Sequence, residues 1–312
     1  MENTIVLITG GTGTFGKAFI DKCLQLNAKE IRVFSRDEKK QYEMKYKYNN
    51  PKLSFFIGDI RDKSSLDKAM KNVDYVFHAA AMKQVPTCEI YPEEAIKTNV
   101  YGSLNVLNSA IEHKVKKVVC LSTDKAVYPI STMGLTKSLM EKIALAKSKE
   151  DHSTTICVTR FCNLIVSNGS AVPLFMNQIE NNQPLTVTDP NMTRFFMSTK
   201  NAIDLVYYAF KNGENGDIFI RHEQPCKIGD LAQAVRAYMN CPDHPIQYIG
   251  ARKGEKLHEK LITDEEFPRA IYENNYIVIK NNGCKYNNNF TYSSDLIDPM
   301  NLTDIINLIE KA

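Results

Sequence analysis

Short apolar runs alternate with longer amphipathic stretches through the first half of this chain. The runs Ile5–Thr9, Ile31–Ser35, Ser54–Ile57, Tyr75–His78, Lys117–Ser122 and Thr155–Arg160 have the length and composition of buried strands. Between them, Phe15–Leu26, Lys63–Met70, Pro92–Glu112 and Gly134–Lys149 repeat apolar side chains at helical spacing. The alternation predicts an α/β fold built on a doubly wound parallel sheet. It breaks down after Asn163, where an Asn168-Gly169 turn signal and Pro173, Pro184 and Pro190 punctuate short segments. One more strand is expected at Gly216–Ile220 and a further amphipathic helix at Ile228–Met239. The tail after Gly283, rich in Asn, Tyr and Lys, is expected to be loosely ordered until the amphipathic piece Leu302–Ile309. The pattern divides the chain into a sheet domain over residues 1–162, to which segments near 200–222 return, and a smaller irregular α/β lobe over 163–312 that closes on the sheet's ligand edge.

Composition narrows the function. The chain has 312 residues, enough to bury a large core, and its net charge of +3 gives no reason to expect nucleic acid or an anionic membrane as partner. The basic run around Lys39 and Lys45 is short and mixed with Glu and Tyr, which reads as a solvated helix face. Eight scattered cysteines form no CxxC pair, and His78, His113, His152, His222, His244 and His258 lack metal-ligand spacing. No apolar run reaches membrane-span length and the start resembles no targeting peptide, so a cytoplasmic protein with reduced thiols is expected.

The chemistry starts at Thr9-Gly10-Gly11-Thr12-Gly13-Thr14-Phe15-Gly16, between the first strand and the first helix. Gly10 permits the tight turn, Gly13 a close approach of a pyrophosphate, and Gly16 close helix packing. The helix N-terminus offers free N–H groups to phosphate. In this strand–turn–helix context the pattern indicates a dinucleotide-binding Rossmann domain, with Thr12, Thr14 and Phe15 in the same turn. The second strand ends in Ser35-Arg36-Asp37, with Lys39 nearby. A hydroxyl and a guanidinium suit a ribose phosphate, so NADP is favoured. An inward-pointing Asp37 would restore NAD. Asp59 and Ile60, after the third strand, are expected beside the adenine, although Asp59 also fits an exposed turn. Ala79, Ala80 and Ala81, after the fourth strand, leave room where a dinucleotide crosses the sheet.

The fifth strand runs into Ser122-Thr123-Asp124-Lys125, an acid and an ammonium side by side where ligands of such sheets sit. The alternative is a solvated Asp-Lys pair in a loop. As acid and base, Asp124 has to hold a proton and Lys125 has to be neutral part of the time; burial is expected to push both that way, and their own ion pair to oppose it until bound ligands desolvate or separate them.

The chain resembles the extended short-chain dehydrogenase/reductases, and more narrowly the UDP-N-acetylglucosamine 4,6-dehydratases of polysaccharide biosynthesis. The resemblance is carried by TGGTGTFG at 9–16, FSRDEKKQ at 34–41, GDIRD at 58–62, HAAAMKQVP at 78–86, KTNVYGSLNV at 97–106, LSTDKAVYP at 121–129, DPNMTRFFM at 189–197 and RKGEKLHE at 252–259. Met133 stands four residues before Lys137, where the family carries the tyrosine of its Tyr-x-x-x-Lys pair, as in the capsule-type subgroup. The resemblance implies NADP, a UDP-N-acetylglucosamine substrate and a homo-oligomer. It implies Asp124 as acid, Lys125 as base, Lys137 on the nicotinamide ribose and Asn99 as an organiser of the cofactor site. Thr123 is expected on the carbon-4 hydroxyl, Lys83 near the sugar or diphosphate, and Asn163, Arg194, Arg252 and Glu255 on the nucleotide half of the substrate. For the missing carbon-4 base the candidates are Tyr128, Thr123 or Lys125 itself. Tyr128 is preferred because only a phenol matches the lost group's acidity. A UDP-sugar 4-epimerase, or a catalytically silent NADP-binding regulator, is the competing reading.

Overall fold

The computed structural model describes residues 1–150, 153–167, 169–281 and 292–312. The first six strands are β1 (Ile5–Thr9), β2 (Glu30–Ser35), β3 (Leu53–Ile57), β4 (Tyr75–His78), β5 (Lys117–Thr123) and β6 (Thr155–Phe161). The remainder are β7 (Asn163–Leu164), β8 (Leu185–Val187), β9 (Thr193–Met197), β10 (Ile218–Arg221), β11 (Pro225–Lys227), β12 (Ile246–Tyr248), β13 (Ala270–Glu273) and β14 (Tyr276–Ile279). The large sheet has the order β13-β14-β10-β6-β5-β4-β1-β2-β3, parallel from β3 through β10, with β14 and β13 added antiparallel at one edge. Strands such as Ile5-Val6-Leu7-Ile8-Thr9 are apolar without alternation because helices cover both faces of the sheet.

The helices are α1 (Thr14–Gln25), α2 (Glu38–Tyr48), α3 (Lys63–Met70), α4 (Val85–Ile90), α5 (Pro92–Ala95), α6 (Ser103–Glu112), α7 (Thr132–Glu150), α8 (Ala171–Glu180), α9 (Thr199–Asn212), α10 (Ile228–Tyr238) and α11 (Leu302–Glu310). Strand order reverses at β1, whose neighbours are β2 and β4. Thr9 is level with His78, His78 with Cys120, and Thr123 with Phe161, so the ends of β1, β4, β5 and β6 share one rim. That rim is where the fold leaves a crevice. A second apolar cluster, with Val172, Phe175, Leu185, Leu231, Val235 and Ile305, is assembled by α8, β8, α10 and α11. Helix α11 starts on a capping box in which Asn301 accepts from the Asp304 N–H and Asp304 accepts from the Asn301 N–H.

Two expectations from the sequence change. The helix anticipated over Pro92–Glu112 is interrupted by a π-helical stretch, Ile96–Gly102, between α5 and α6. The tail is not loose where it is described. Tyr292 is buried and stacks on Phe195 with ring centroids 5.0 Å apart, and Ser294 is buried against Thr193 at 2.6 Å. An aromatic ring and two hydroxyls with matched partners order this segment, which polar composition alone conceals. The Asn168 half of the turn signal, His152, Cys284 and residues 282–291 of the tail lie outside the described residues. The seven described cysteines are free thiols.

Candidate functional site

The glycine turn, the ends of β2, β3 and β4, and α1 enclose a cleft of about 770 Å³. Gly10, Thr12, Gly13, Thr14, Phe15, Gly16, Ser35, Arg36, Asp37, Asp59, Ile60, Ala79, Ala80, Ala81 and Lys83 all line it. Gly10 has φ +69°, and a Cβ there would meet the Ala80 backbone N at 2.8 Å, so both its conformation and its contact demand glycine. Gly13 gives α1 no side-chain cap, which leaves the first N–H groups of that helix directed at the cleft. Thr98, on the π stretch, also lines the cleft, and its buried Oγ1 has no hydrogen-bond partner among the described residues. An uncapped helix start, a cradle that a side chain would fill and an orphaned hydroxyl fit a dinucleotide.

Arg36 and Lys40 are the basic side chains of the segment after β2 that line the cleft. Lys39 stands in solvent beside Glu43 at 4.0 Å, which corrects the expectation for that residue. Asp37 caps α2: its Oδ1 accepts from the Lys40 N–H at 3.0 Å and its Oδ2 lies 3.0 Å from Lys40 Nζ. The cap and the ammonium hold its carboxyl below the usual range. The Ser35 hydroxyl accepts from Gln41 Nε2 at 3.0 Å. Arg36 is mostly exposed, 3.6 Å from Asp59, which Arg61 grips at 2.6 Å.

The second half of the site lies at the end of β5. Residues Asp124–Ala126 form one 3-10 turn, and Thr123 caps it. Asp124 is fully buried. Its Oδ1 accepts from the Thr123 hydroxyl at 2.7 Å, the Lys125 N–H at 2.9 Å and Lys125 Nζ at 3.0 Å, whereas its Oδ2 has no partner among the described residues. Lys125 Nζ also donates to Asn163 Oδ1 at 3.2 Å and lies 3.8 Å from Glu259. Thr123, Asp124, Lys125 and Asn163 therefore form one cluster, and the solvated-loop reading of the pair is excluded. Burial opposes the charge on Lys125, but the carboxylates of Asp124 and Glu259 outweigh it and hold the ammonium above the usual lysine range. The opposition expected from the adjacent Asp124 therefore prevails over burial, and Glu259, which the sequence reading did not include, adds to it.

Lys137, on α7, is buried and donates to the Leu121 carbonyl at 2.5 Å. Burial pushes its ammonium down to about 8. Asn99, fully buried on the π stretch, accepts from the Met82 N–H at 2.8 Å and donates to Met82 O and to Thr136 Oγ1, each at 3.0 Å. It thus ties the segment after β4 to the turn of α7 that carries Lys137. Met133 packs with Cys88, Ala95, Met82 and Val85 in an apolar cluster. Gly134 lies against the Lys125 carbonyl so closely that any side chain would strike it, which lets α7 press on the 3-10 turn.

Other residues singled out in the sequence stand elsewhere. Tyr128 is 45% exposed, and its hydroxyl donates to Asp264 Oδ2 and accepts from the Asp264 N–H, both at 2.9 Å. Arg194 is buried and spends its donors inward, on Thr193 O at 2.8 Å, Leu257 O at 3.1 Å and Lys256 O at 2.7 Å. It is a strut between β9 and the 256–259 segment, because a buried guanidinium must satisfy its fork on nearby carbonyls. Arg252 and Glu255 form a loose pair, 3.8 Å apart, on the loop after β12. Sequence reasoning missed Lys40, Thr98 and Glu259, although each lies inside a motif quoted above, and Gly134, which lies between Met133 and Lys137. It also missed the buried Arg160, which pairs with Glu141 at 2.7 Å and Glu266 at 2.6 Å behind the site. Among the described residues no group of His, Cys, Asp and Glu is placed to hold a metal ion, and no helix is long and apolar enough to cross a membrane.

A parallel sheet reversing at β1, a glycine cradle below it and an Asp-Lys pair with a helical lysine beside β5 define an extended short-chain dehydrogenase/reductase. The model of one family, described as polysaccharide biosynthesis protein, matches residues 6–281. The chain is 52% identical over 288 residues to a UDP-glucose 4-epimerase of Rickettsia bellii (strain OSU 85-389), covering 90% of this chain and 84% of that one. Its structure matches that of Pen from Bacillus thuringiensis with a TM-score of 0.95 at 37% identity, over 100% of this chain and 99% of that one. The fold is shared with DesIV, a dTDP-glucose 4,6-dehydratase of Streptomyces venezuelae, with a TM-score of 0.74 at 23% identity over 81% and 86% of the two chains. The chain belongs to the polysaccharide biosynthesis protein family and is a nucleotide-sugar-modifying enzyme of the epimerase/dehydratase group.

Proposed function

We propose that this protein is a UDP-N-acetylglucosamine 4,6-dehydratase, a hydro-lyase that uses NADP and makes a UDP-2-acetamido-2,6-dideoxy-4-hexulose, with carbon 5 open to inversion during the reaction. The observation that carries this reading is the buried Asp124 beside Lys125 at the end of β5, with one carboxylate oxygen that has no hydrogen-bond partner among the described residues. Epimerisation at carbon 4 has no use for an acid–base pair of this kind, whereas loss of water across carbons 5 and 6 requires one.

A bound nicotinamide supplies reversible hydride exchange with the sugar. The chain supplies the rest. Lys137 orients the nicotinamide ribose, and Asn99 fixes the turn that carries it. Asp124 protonates the leaving carbon-6 oxygen through Oδ2. Lys125, having lost its own proton to solvent, removes the carbon-5 proton as the neutral amine and later returns it to carbon 5. Of the three candidates for the carbon-4 proton, Thr123 and Lys125 lie in the cluster, and Tyr128 is engaged with Asp264. We therefore assign that proton to Thr123 in place of Tyr128: Thr123 takes it from the carbon-4 hydroxyl as it passes its own to the Asp124 carboxylate, and this is the proton that Asp124 later gives to the carbon-6 oxygen. Arg36 and Lys40 at the mouth of the cleft, with Asp37 turned onto α2, favour NADP over the NAD found with DesIV. Lys83 and Asn163 remain on the substrate side of the assignment, and Arg252 with Glu255 takes the diphosphate and ribose from the loop. Residues 1–162 then act as the cofactor domain and 163–312 mainly as the substrate lobe. Exposed Leu135 and Leu139 on α7, and exposed Tyr101 on the π stretch that α7 packs against, support self-association into a homo-oligomer.

The names of the Rickettsia relatives favour a second reading, a UDP-sugar 4-epimerase. Mass spectrometry of the product separates the two. A nucleotide sugar lighter by one water supports the dehydratase, and an isomer of unchanged mass supports the epimerase. Cofactor binding with neither product leaves the silent regulator. Asp124→Asn should lower the dehydration rate by about 100-fold or more while cofactor binding is retained.

A further inference from the structure

Glu259 lies in the segment after β12, and nothing in the activity described so far uses it. Its side chain is 2% exposed. Three cations converge on its carboxylate: Lys256 Nζ at 3.3 Å, Lys125 Nζ at 3.8 Å and Arg194 Nε at 3.9 Å. Even so, its Oε2 makes no hydrogen bond among the described residues. Its backbone is fixed from both sides by Ser294: the Glu259 N–H donates to Ser294 Oγ at 2.8 Å, and the Ser294 N–H donates to Glu259 O at 2.9 Å. Ser294 is itself anchored on Thr193 at 2.6 Å. A buried carboxylate held this firmly and hydrogen-bonded this poorly is costly unless its charge is used.

We propose that Glu259 is a positioning residue for Lys125: its carboxylate, 3.8 Å from the ammonium, and that of Asp124, at 3.0 Å, together set where Nζ sits and how readily it gives up its proton. The groups that face Lys125 are Asp124 and Thr123 from its own turn, the Cys162 thiol after β6, Asn163 from β7, Arg194 from β9 and Glu259 from the 256–259 segment. The lysine shares Glu259 with Arg194 and Lys256, so the carboxylate acts on it at less than full strength. The proposal rests on the reading of Lys125 as the base, and the test keeps the two apart.

The test compares the native full-length chain with Glu259→Gln and Glu259→Asp. Lys125 is titrated directly, by the pH dependence of its acetylation with acetic anhydride, read by peptide mass spectrometry. Neutralising Glu259 removes a field that favours the ammonium, so the Glu259→Gln midpoint falls, by about one pH unit. Glu259→Asp keeps the charge but draws it back, so its midpoint falls by less. An unchanged or raised midpoint in either folded variant overturns the proposal. If Glu259→Gln does not fold, Glu259→Asp alone decides. The second readout is the pH profile of kcat/KM with UDP-N-acetylglucosamine. A limb that moves with the labelling midpoint supports both assignments. A labelling shift without a limb shift supports the Glu259 proposal and removes Lys125 as the base. A role confined to holding the fold lowers the rate at every pH and moves neither.

Discussion

Lys137 offers a direct test of what the site costs the fold. Its ammonium is buried and pushed down to about 8, against an ordinary lysine value of about 10.4. Each tenfold loss of proton affinity corresponds to about 1.4 kcal/mol, so charging this residue in the folded state costs roughly 3 kcal/mol. Lys137→Met keeps the length of the side chain and removes the charge. It also removes the hydrogen bond to Leu121 O, worth about 1 kcal/mol. The variant should therefore be about 2 kcal/mol more stable than the native protein near pH 7. The sign follows from the unfolded chain binding this proton more tightly than the folded one. The penalty is full below about 8, shrinks as pH rises, and is gone once the unfolded lysine also loses its proton. Urea unfolding of both proteins, without cofactor, at several pH values across that window measures the gap, and other titrating groups cancel in the difference. A gap that does not narrow with pH, or a variant less stable at neutral pH, would refute the reasoning. The variant should also lose cofactor affinity, since the residue assigned to the ribose is gone.

Three further outcomes are expected. Arg160→Met strips the shared partner from buried Glu141 and Glu266 and should cost about 3–5 kcal/mol in urea unfolding; a neutral result would mean those carboxylates find other partners. Gly134→Ala forces α7 off the Lys125 carbonyl, so thermal unfolding should show a loss of about 1–3 kcal/mol together with slower turnover, and native values for both would sink the idea. Tyr128→Phe breaks the contact with Asp264 and should lower stability by about 1 kcal/mol; the rate of cofactor reduction should stay near native, and a large drop would return Tyr128 to the chemistry.

Much of the frame was legible because parallel strands and their helices leave a strong periodic signal. Tyr75–His78 and Lys63–Met70 have the bounds that their apolar spacing predicts, and the glycine turn sits where a strand gives way to a helix. The site was legible where chemistry is local: Thr123, Asp124 and Lys125 adjoin in sequence and adjoin in space. What stayed hidden depends on distant partners. The π stretch around Asn99 obeys ordinary helical periodicity in sequence and is set by contacts to Met82 and Thr136. Arg194 looks like a surface anion ligand until the carbonyls of residues 256 and 257 are placed beside it. The charge state of Lys125 is set by Asp124 beside it and also by Glu259, which lies more than a hundred residues away in the chain and is held by a serine from the tail.

The antiparallel pair β13–β14 has a consequence for synthesis of the chain. It covers the flank of β10, and β14 supplies the hydrogen bonds that β10 otherwise offers to any passing strand. Because that cover is made by residues 270–279, a nascent polypeptide emerging from the ribosome carries an open, apolar ribbon at Ile218-Phe219-Ile220 for some fifty residues of translation. Chains stopped short of residue 270 should accordingly clump by edge-to-edge pairing, and a chaperone that shields extended segments would have most to do in that interval.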